Sequence, residues 1–236
     1  MVLEKESRSG EGVSSRNSGV IHAGMYYPTG SLKSTLCIEG NRLLYDYAKD
    51  KNISCRKIGK YIIASKEHEL EKLNNLYNQG LSSGVSLKMI AKEEIQNLYP
   101  DLVSAGAIFS PESGIIDVPE LVTALEGDIQ HNKGVISLKT SFISAIKSQD
   151  NFRIKCDDGN EFEINSKILI NSSGLDSEIN TRKIFSLDDK YNLPINLAKG
   201  HYFKYSGKHP FKNLIYPLSN EFSQGIHAGF DLSGQL

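Results

Sequence analysis

The sequence predicts an α/β protein in which two domains share the chain discontinuously. Over residues 1–140 and again over 167–184, apolar strand-like runs alternate with amphipathic helical stretches. Segments that alternate like antiparallel strands interrupt this pattern at 141–166 and return after 194. Strand–helix alternation is typical of α/β domains, and a pattern that leaves and returns indicates two interleaved domains. A chain of 236 residues can bury a core for each.

The first elements combine a short strand, a loop and a long helix. "MVLEK" is an apolar run that ends at Glu4, and it predicts a strand. Residues 6–19 are rich in Gly and Ser and predict a loop. Apolar residues at near-helical spacing over 32–52 predict a helix, with Ser31 as its N-cap.

Strands and helices continue to alternate up to residue 140. One helix, "VPELVTALEGDIQHNKG", has Asp117 as its predicted N-cap and Pro119 in its first turn. The other helical stretches are "KEHELEKLNNLYNQG" and "AKEEIQNLY", the second of which stops near Pro100. The strand-like runs between them are "CRKIGKYIIAS", "SLKMI" and "GVISLKT", and "AGAIFSPESGIID" predicts a strand and a turn.

The second half of the chain has a different pattern. "FISAIKS", "NFRIKCDDG" and "EFEINSK" predict a three-stranded meander with turns at Gln149-Asp150 and Asp158-Gly159. "KILINSSGLDSEINTRKI" predicts an apolar strand, a turn and a helix. The segments "PINLAKGHYFKYSG", "NLIYPLS" and "GIHAGFD" alternate like antiparallel strands.

Composition excludes several classes of protein. The formal net charge of -1 gives no bulk attraction to nucleic acid or to membranes. No apolar run approaches the roughly 18 residues that a membrane span needs. Cys37, Cys55 and Cys156 are too far apart in sequence to indicate a metal cluster or a disulfide framework. Reduced thiols and a cytoplasmic location are therefore expected, with peripheral association to the inner face of a membrane left open.

Two strand ends carry residues suited to a dinucleotide. Glu4 ends the first strand, where a carboxylate can accept hydrogen bonds from both hydroxyls of a ribose. Ser172, Ser173 and Gly174 end a predicted apolar strand, where small residues let the backbone approach a pyrophosphate. The alternatives are a solvated strand-end charge and an ordinary strand-to-helix turn.

The stretch "SSRNSGVIHAGMYY" offers polar groups and then an isolated histidine. Ser15, Arg16, Asn17 and Ser18 provide hydroxyl, guanidinium and amide donors for phosphate and sugar. An extended backbone here would pass beneath such a cofactor.

The second part of that stretch suits a flat ring. Gly19 and Gly24 would let the ring lie against the backbone, and His22 would face the redox centre. Tyr26 and Tyr27 would begin the wall of a pocket. The alternative is that His22 is a packed, partly buried side chain.

In this order, "VLEKE", "SSRNSGVIHAGMYY", "GKYIIAS", "INSSGL", "AKGHYF", "LIYPL" and "GIHAGFD" resemble the FAD-dependent L-2-hydroxyglutarate dehydrogenase/oxidase group of the D-amino-acid-oxidase-like flavoproteins. The resemblance implies an FAD-binding, Rossmann-like domain of the glutathione-reductase type at 1–55 and 113–194. It implies a mainly antiparallel α+β substrate domain at 56–112 and 195–236. The family's opening strand, G-x-G-x-x-G loop and helix are missing from this sequence, so the chain is expected to be an internal fragment.

The implied activity is oxidation of a 2-hydroxy acid, with L-2-hydroxyglutarate as the expected substrate. A catalytically inactive fragment is one alternative, and a related enzyme acting on an amino acid or glycerol 3-phosphate is another. Oxygen, a quinone and an electron-transfer protein all remain open as electron acceptor. No nucleic-acid partner and no metal are expected.

The resemblance also assigns roles to residues. The implied catalytic residues are His22, which is covalently joined to the flavin in some relatives and packed nearby in others, and His227, whose alternative is a solvent-facing strand histidine. The implied substrate residues are Tyr202, Tyr216 and Lys199, the last of which has a surface cation as its alternative. The implied cofactor residues are Glu4, Ser15, Arg16, Asn17, Ser18, Phe142, Ser172, Ser173 and Gly174.

Overall fold

Five α-helices and thirteen strands make up the part of the chain that the structure describes, a computed structural model covering residues 1–218 and 225–236. The helices are α1 (Leu32–Asp50), α2 (Leu70–Ser82), α3 (Lys92–Leu98), α4 (Val118–His131) and α5 (Ser177–Arg182). The strands are β1 (Val2–Leu3), β2 (Val20–Ile21), β3 (Cys55–Arg56), β4 (Lys60–Ala64), β5 (Lys88–Ala91), β6 (Gly106–Ser110), β7 (Gly114–Ile116), β8 (Ile136–Ser137), β9 (Ser141–Lys147), β10 (Phe152–Asp157), β11 (Glu161–Ser166), β12 (Ile184–Phe185) and β13 (Leu214–Pro217).

The chain divides into two compact units, each built from two separate stretches. The first unit contains Met1–Asn17 and Val122–Tyr202, and the second contains Ser18–Leu121 and Phe203–Leu236. From the sequence, residues 18–55 are assigned to the same domain as the N-terminal strand. In the structure these residues belong to the second unit, and the N-terminal strand belongs to the first. Which unit serves the cofactor and which the substrate remains a prediction.

The first unit contains a short parallel pair and a four-stranded sheet. β1 runs parallel to β8, and the sheet has the order β11-β10-β9-β12. The predicted meander is confirmed, because β10 pairs antiparallel with both β9 and β11. Its turn depends on Gly159, whose φ of 110° favours glycine and whose N–H donates to the Asp157 carboxylate. Ala145, Ile154 and Cys156 form the buried core of this sheet.

The second unit contains a four-stranded sheet with the order β13-β4-β6-β5 and a three-stranded sheet with the order β2-β7-β3. β4 lies between β13, which runs parallel to it, and β6, which runs antiparallel. Alternate side chains of a strand point to opposite faces. Every residue of β4 is buried, so both faces of this strand are covered. Ile62 and Ala64 belong to one core cluster, and Tyr61 and Ile63 belong to another.

The predicted N-caps of two helices are confirmed. The Ser31 side chain accepts a hydrogen bond from the backbone N–H of Ser34 at the start of α1. The Asp117 carboxylate accepts one from Glu120 N at 2.8 Å at the start of α4. Each cap satisfies a backbone donor that has no partner within its helix.

Two predicted strands are wrong. Residues 167–171 and 194–207 have no ladder partner among the described residues, and neither stretch is a strand. Ile168 and Ile170 are 73% and 78% exposed, so the apolar run that predicted a buried strand lies open. An apolar run forms a strand only where a neighbour satisfies its backbone, and the sequence pattern alone does not supply that neighbour.

The C-terminal segments are partly as predicted. "NLIYPLS" contains β13, which ends at Pro217, and its last residue lies outside the described residues. "GIHAGFD" forms a single antiparallel bridge, Ala228 to Ile215, instead of a full strand. None of the helices in the described part of the chain combines the length and the hydropathy that crossing a membrane requires.

Candidate active site

The backbone around His22 is fixed by three elements of the second unit. β2 pairs antiparallel with β7 immediately before His22. From α1, the Asn41 side chain donates to the carbonyl oxygens of His22 and Glu112, both at 2.9 Å. From α2, Gln79 Nε2 donates to two further carbonyls of the same segment, at Met25 and Tyr27. Packing within the protein therefore holds this segment in place.

The two glycines of this segment lie against protein atoms. Gly24 has a φ of 94°, and a Cβ there would come within 2.8 Å of Ile38 Cγ1. Gly19 has a φ of 63°, and a Cβ there would come within 2.8 Å of the Ile116 carbonyl oxygen. The sequence predicts that these glycines leave room for a flat ring. In the structure, the space beside each glycine is filled by other residues of the protein.

The His22 side chain is exposed to solvent, although many protein atoms lie near its ring. Burial is the main cause that lowers the pKa of His22 to about 4, and the charges of Lys60 and His227 lower it further. The imidazole is therefore neutral at pH 7 and has a free proton-accepting capacity.

His227 is placed by the bridge between β13 and the C-terminal segment. Ile215 and Ala228 exchange both backbone hydrogen bonds, at 3.0 and 2.9 Å. Their neighbours Tyr216 and His227 are consequently opposite each other on one face. The two rings stack with centroids 3.7 Å apart and planes 12° apart.

Lys60 is the one charged side chain among the buried residues that the structure describes. It occupies the first position of β4, on the same face as Ile62, where the ladder places it opposite Leu214 of β13. Its Nζ lies 4.7 Å from the Tyr26 ring centroid and 4.9 Å from that of Tyr216.

The surroundings of Lys60 disfavour its charge. Burial lowers the pKa of Lys60 to about 8, and the nearby Cys37 thiol opposes this shift. Burial also raises the pKa of Tyr26, so its hydroxyl stays protonated. We call His22, Tyr26, Lys60, Tyr216 and His227 the Lys60 cluster.

In the first unit, the end of β1 lies close to the predicted phosphate turn. Glu4 follows β1 directly, and the ammonium of the next residue, Lys5, pairs with the Asp176 carboxylate at 2.5 Å. One Glu4 oxygen accepts a hydrogen bond from Glu6 N at 2.9 Å. The carboxylate retains further acceptor capacity, as the predicted ribose contact requires.

The predicted phosphate turn is open to solvent. Ser172, Ser173 and Gly174 are all exposed, and Gly174 has a φ of 58° with open space where a Cβ would lie. Ser173 Oγ donates to Asn171 Oδ1 at 2.7 Å and so helps to shape the turn. An accessible turn of small residues suits an approaching phosphate.

The polar residues of "SSRNS" make local hydrogen bonds. Ser15 Oγ donates to the carbonyls of Glu11 and Gly12, and Arg16 donates to Ser15. Asn17 Nδ2 donates to Ser14 O at 2.5 Å. Val13–Ser15 is a 3-10 turn, so the prediction of an extended segment is wrong there, because these side chains bond to nearby carbonyls and stabilise a turn. Ser18 is exposed.

The other predicted residues of the first unit have different surroundings. Phe142 lies on β9 and packs against the core of the meander. Lys199 is exposed and Tyr202 is 73% exposed, on the stretch that forms no strand. Their predicted contacts with cofactor and substrate remain predictions.

A family model described as "DAO: FAD dependent oxidoreductase" matches residues 1–235. The chain belongs to this family. The DAO-family assignment agrees with the mixed parallel and antiparallel sheets, and it confirms the predicted fold class and family.

Two relatives of this chain are both L-2-hydroxyglutarate dehydrogenases. The mitochondrial L-2-hydroxyglutarate dehydrogenase of Arabidopsis thaliana is 31% identical over 265 residues, covering 99% of this chain and 55% of the relative. The human mitochondrial L-2-hydroxyglutarate dehydrogenase is 35% identical over 201 residues, covering 84% and 42% respectively. The chain thus spans about half the length of these relatives.

A solved structure of similar fold supports the architecture. It is the dithionite-reduced L-α-glycerophosphate oxidase of Mycoplasma pneumoniae with FAD bound, with a TM-score of 0.84 and 20% identity, covering 99% of this chain and 62% of that one. At this identity the similarity concerns the fold alone.

Sequence reasoning missed Lys60 as a residue of the site. A signal for it exists in "GKYIIA", where the lysine shares a face with Ile62 and Ala64 by the period of two. A lysine on the buried face of an apolar strand is rare unless it is paired.

Proposed function

We propose that the protein is an FAD-dependent oxidoreductase that converts a 2-hydroxy acid into the 2-oxo acid, with L-2-hydroxyglutarate as substrate. The family assignment and the names of the relatives support this proposal. Because the chain spans about half of each relative, the activity is proposed for the whole protein.

The observation that carries the proposal is the environment of His22. A neutral, solvent-accessible imidazole, held by the fixed backbone between β2 and α1, has the properties of a proton acceptor. His227 lies near enough to affect the pKa of His22 and is itself held by its stack on Tyr216. The second unit thus supplies two imidazoles and one cation in a single cluster.

The reaction removes a hydride from the carbon that carries the hydroxyl and a proton from the hydroxyl oxygen. FAD, when bound, supplies the two-electron acceptor for the hydride. His22 accepts the hydroxyl proton, and His227 is the alternative acceptor.

Residues of the first unit fit the dinucleotide part of FAD. We assign Glu4 to the adenosine ribose, because its carboxylate follows a strand of a parallel pair and retains acceptor capacity. Ser172, Ser173 and Gly174 are assigned to the phosphates, because the turn is exposed and the Lys5–Asp176 pair links it to the end of β1. Ser15, Arg16, Asn17 and Ser18 are further phosphate and sugar contacts in this proposal.

The proposed location rests on the state of the cysteines, and the electron acceptor bears on membrane association. All three cysteines are free thiols, which favours a reducing compartment such as the cytoplasm. Peripheral membrane association would accompany a quinone acceptor, whereas oxygen or an electron-transfer protein would require none.

His22→Gln in the flavin-loaded, full-length protein tests the proposal. The substitution removes the imidazole and keeps the backbone bond to Asn41, so we expect normal flavin content and reduction by L-2-hydroxyglutarate slowed about 10²–10⁴-fold. His68→Gln, at an exposed position of the same unit, is the matched control. A His22→Gln protein that is reduced at the wild-type rate would overturn the role of His22.

A further inference from the structure

Lys60 has no hydrogen-bond partner for its ammonium group. In the described part of the chain, its Nζ is fully buried and unbonded. Removing an ammonium from water without a partner costs several kcal/mol, so proteins rarely retain one without a use for it. The sequence offers no structural reason for a lysine here, since Ile62 and Ala64 fill the same face with apolar atoms.

In the described part of the chain, the groups that face Lys60 carry no negative charge at pH 7. They are the Tyr26 and Tyr216 rings, the His22 imidazole and the Cys37 thiol, and the pKa values of Tyr26 and Cys37 are both raised by burial. The tyrosine faces attract the cation only weakly, by roughly 0.5–2 kcal/mol each. Among the residues that the structure describes, no carboxylate pairs with the Lys60 ammonium.

We propose that Lys60 is an anion-binding residue of the active site and pairs with a carboxylate of the substrate. Since no hydrogen bond holds Nζ, its four-carbon chain can turn from the tyrosine rings toward the exposed His22 imidazole without breaking one. A carboxylate that reaches Nζ there gains a charge-assisted hydrogen bond. Pairing at this point holds the hydroxyl-bearing carbon of a 2-hydroxy acid near His22.

This inference rests on the proposed function only for the identity of the anion. The unpartnered ammonium calls for an anion and leaves two sources, a carboxylate of the substrate and the diphosphate of FAD. We assign the substrate, because Lys60 shares its cluster with His22 and His227, the two candidate proton acceptors.

Calorimetric titration of the flavin-loaded, full-length protein with 2-oxoglutarate tests the assignment. Lys60→Met retains the length of the side chain without its charge, and Lys60→Gln is a second variant with a polar end. We expect both to keep their flavin and to bind 2-oxoglutarate about tenfold to hundredfold more weakly than the wild type. Lys88→Met removes an exposed lysine from the same sheet and should leave the affinity unchanged.

Two results would overturn the assignment. Wild-type affinity in both Lys60 variants would show that no carboxylate pairs with Lys60. Loss of flavin from the variants, with unchanged affinity in the flavin-loaded fraction, would assign the anion to FAD. If Lys60 governs 2-oxoglutarate binding and L-2-hydroxyglutarate does not reduce the flavin, the anion site stands and the proposed oxidation fails.

Discussion

Replacing Lys60 with methionine should stabilise the fold, because it removes a buried charge that has no hydrogen-bond partner. Methionine matches the length of the lysine stem and adds apolar contact to a face already formed by Ile62 and Ala64. A residue kept for binding commonly lowers the stability of the free protein, and its removal restores that stability.

The magnitude follows from the depressed pKa. Burial lowers the pKa of Lys60 from 10.5 to about 8, which corresponds to about 3 kcal/mol of unfavourable free energy in the folded state below pH 8. Loss of the contacts with Tyr26 and Tyr216 offsets about 1 kcal/mol of the gain. Lys60→Met should therefore raise the free energy of unfolding by about 2 kcal/mol at pH 7.

The effect depends on pH with a defined sign. Between pH 8 and 10.5 the unfolded chain holds the Lys60 proton more tightly than the folded protein, so wild-type stability relative to Lys60→Met rises with pH in this window. The gap between the two proteins should be full below pH 8 and should close toward pH 10.5.

Urea unfolding of wild type and variant at pH 7 and pH 10.5 measures the gap directly. Lys88→Met, on the exposed edge strand β5, is the control and should change stability by no more than about 0.5 kcal/mol. The reasoning is refuted if Lys60→Met is less stable than wild type at pH 7, or if the gap is the same at both pH values.

Two further predictions concern the segment around His22 and the end of β1. Gly24→Ala should destabilise the protein by about 2–4 kcal/mol in urea unfolding, because its Cβ would meet Ile38 and its φ is 94°. The control, Gly40→Ala, lies in open space on α1 and should be neutral or stabilising. Equal effects at the two sites would refute the packing argument. Glu4→Ala should weaken FAD binding by the full-length protein about tenfold or more in a fluorescence titration. Glu93→Ala, at an exposed position, is the control. Unchanged FAD affinity in Glu4→Ala would make Glu4 only a strand-end charge.

Local signals in the sequence predicted most of the elements correctly. The Ser31 and Asp117 caps and the turn at Gly159 each depend on residues within a few positions of one another, so their chemistry is visible in the sequence. β9, β10 and β11 are joined by short turns, and their alternation therefore predicted both the strands and their pairing.

The failures arise where long-range partners decide the outcome. Ile168 and Ile170 have the pattern of a buried strand and yet lie exposed, because a ladder needs a neighbour that the pattern cannot supply. Ser15 and Asn17 carry donors suited to phosphate, but in the protein they bond to nearby carbonyls. Their local hydrogen bonds compete with any ligand that binds there.

The Lys60 cluster contains both residues that the sequence predicted and one that it missed. His22, Tyr216 and His227 were predicted from short motifs, and the structure brings them together through β13 and its bridge to Ala228. Lys60 was missed, because its importance appears only when the strand is seen to be covered on both faces. Burial of this kind depends on packing between elements that are distant in sequence.

The central claim is most directly tested by anaerobic reduction of the flavin in the full-length protein. L-2-hydroxyglutarate, the D-isomer, glycerol 3-phosphate and glycine are added separately, the flavin absorbance is followed, and the 2-oxoglutarate formed is measured. We predict that L-2-hydroxyglutarate alone bleaches the flavin and that one 2-oxoglutarate appears for each flavin reduced. Bleaching by glycerol 3-phosphate or glycine without reduction by L-2-hydroxyglutarate would contradict the proposed function.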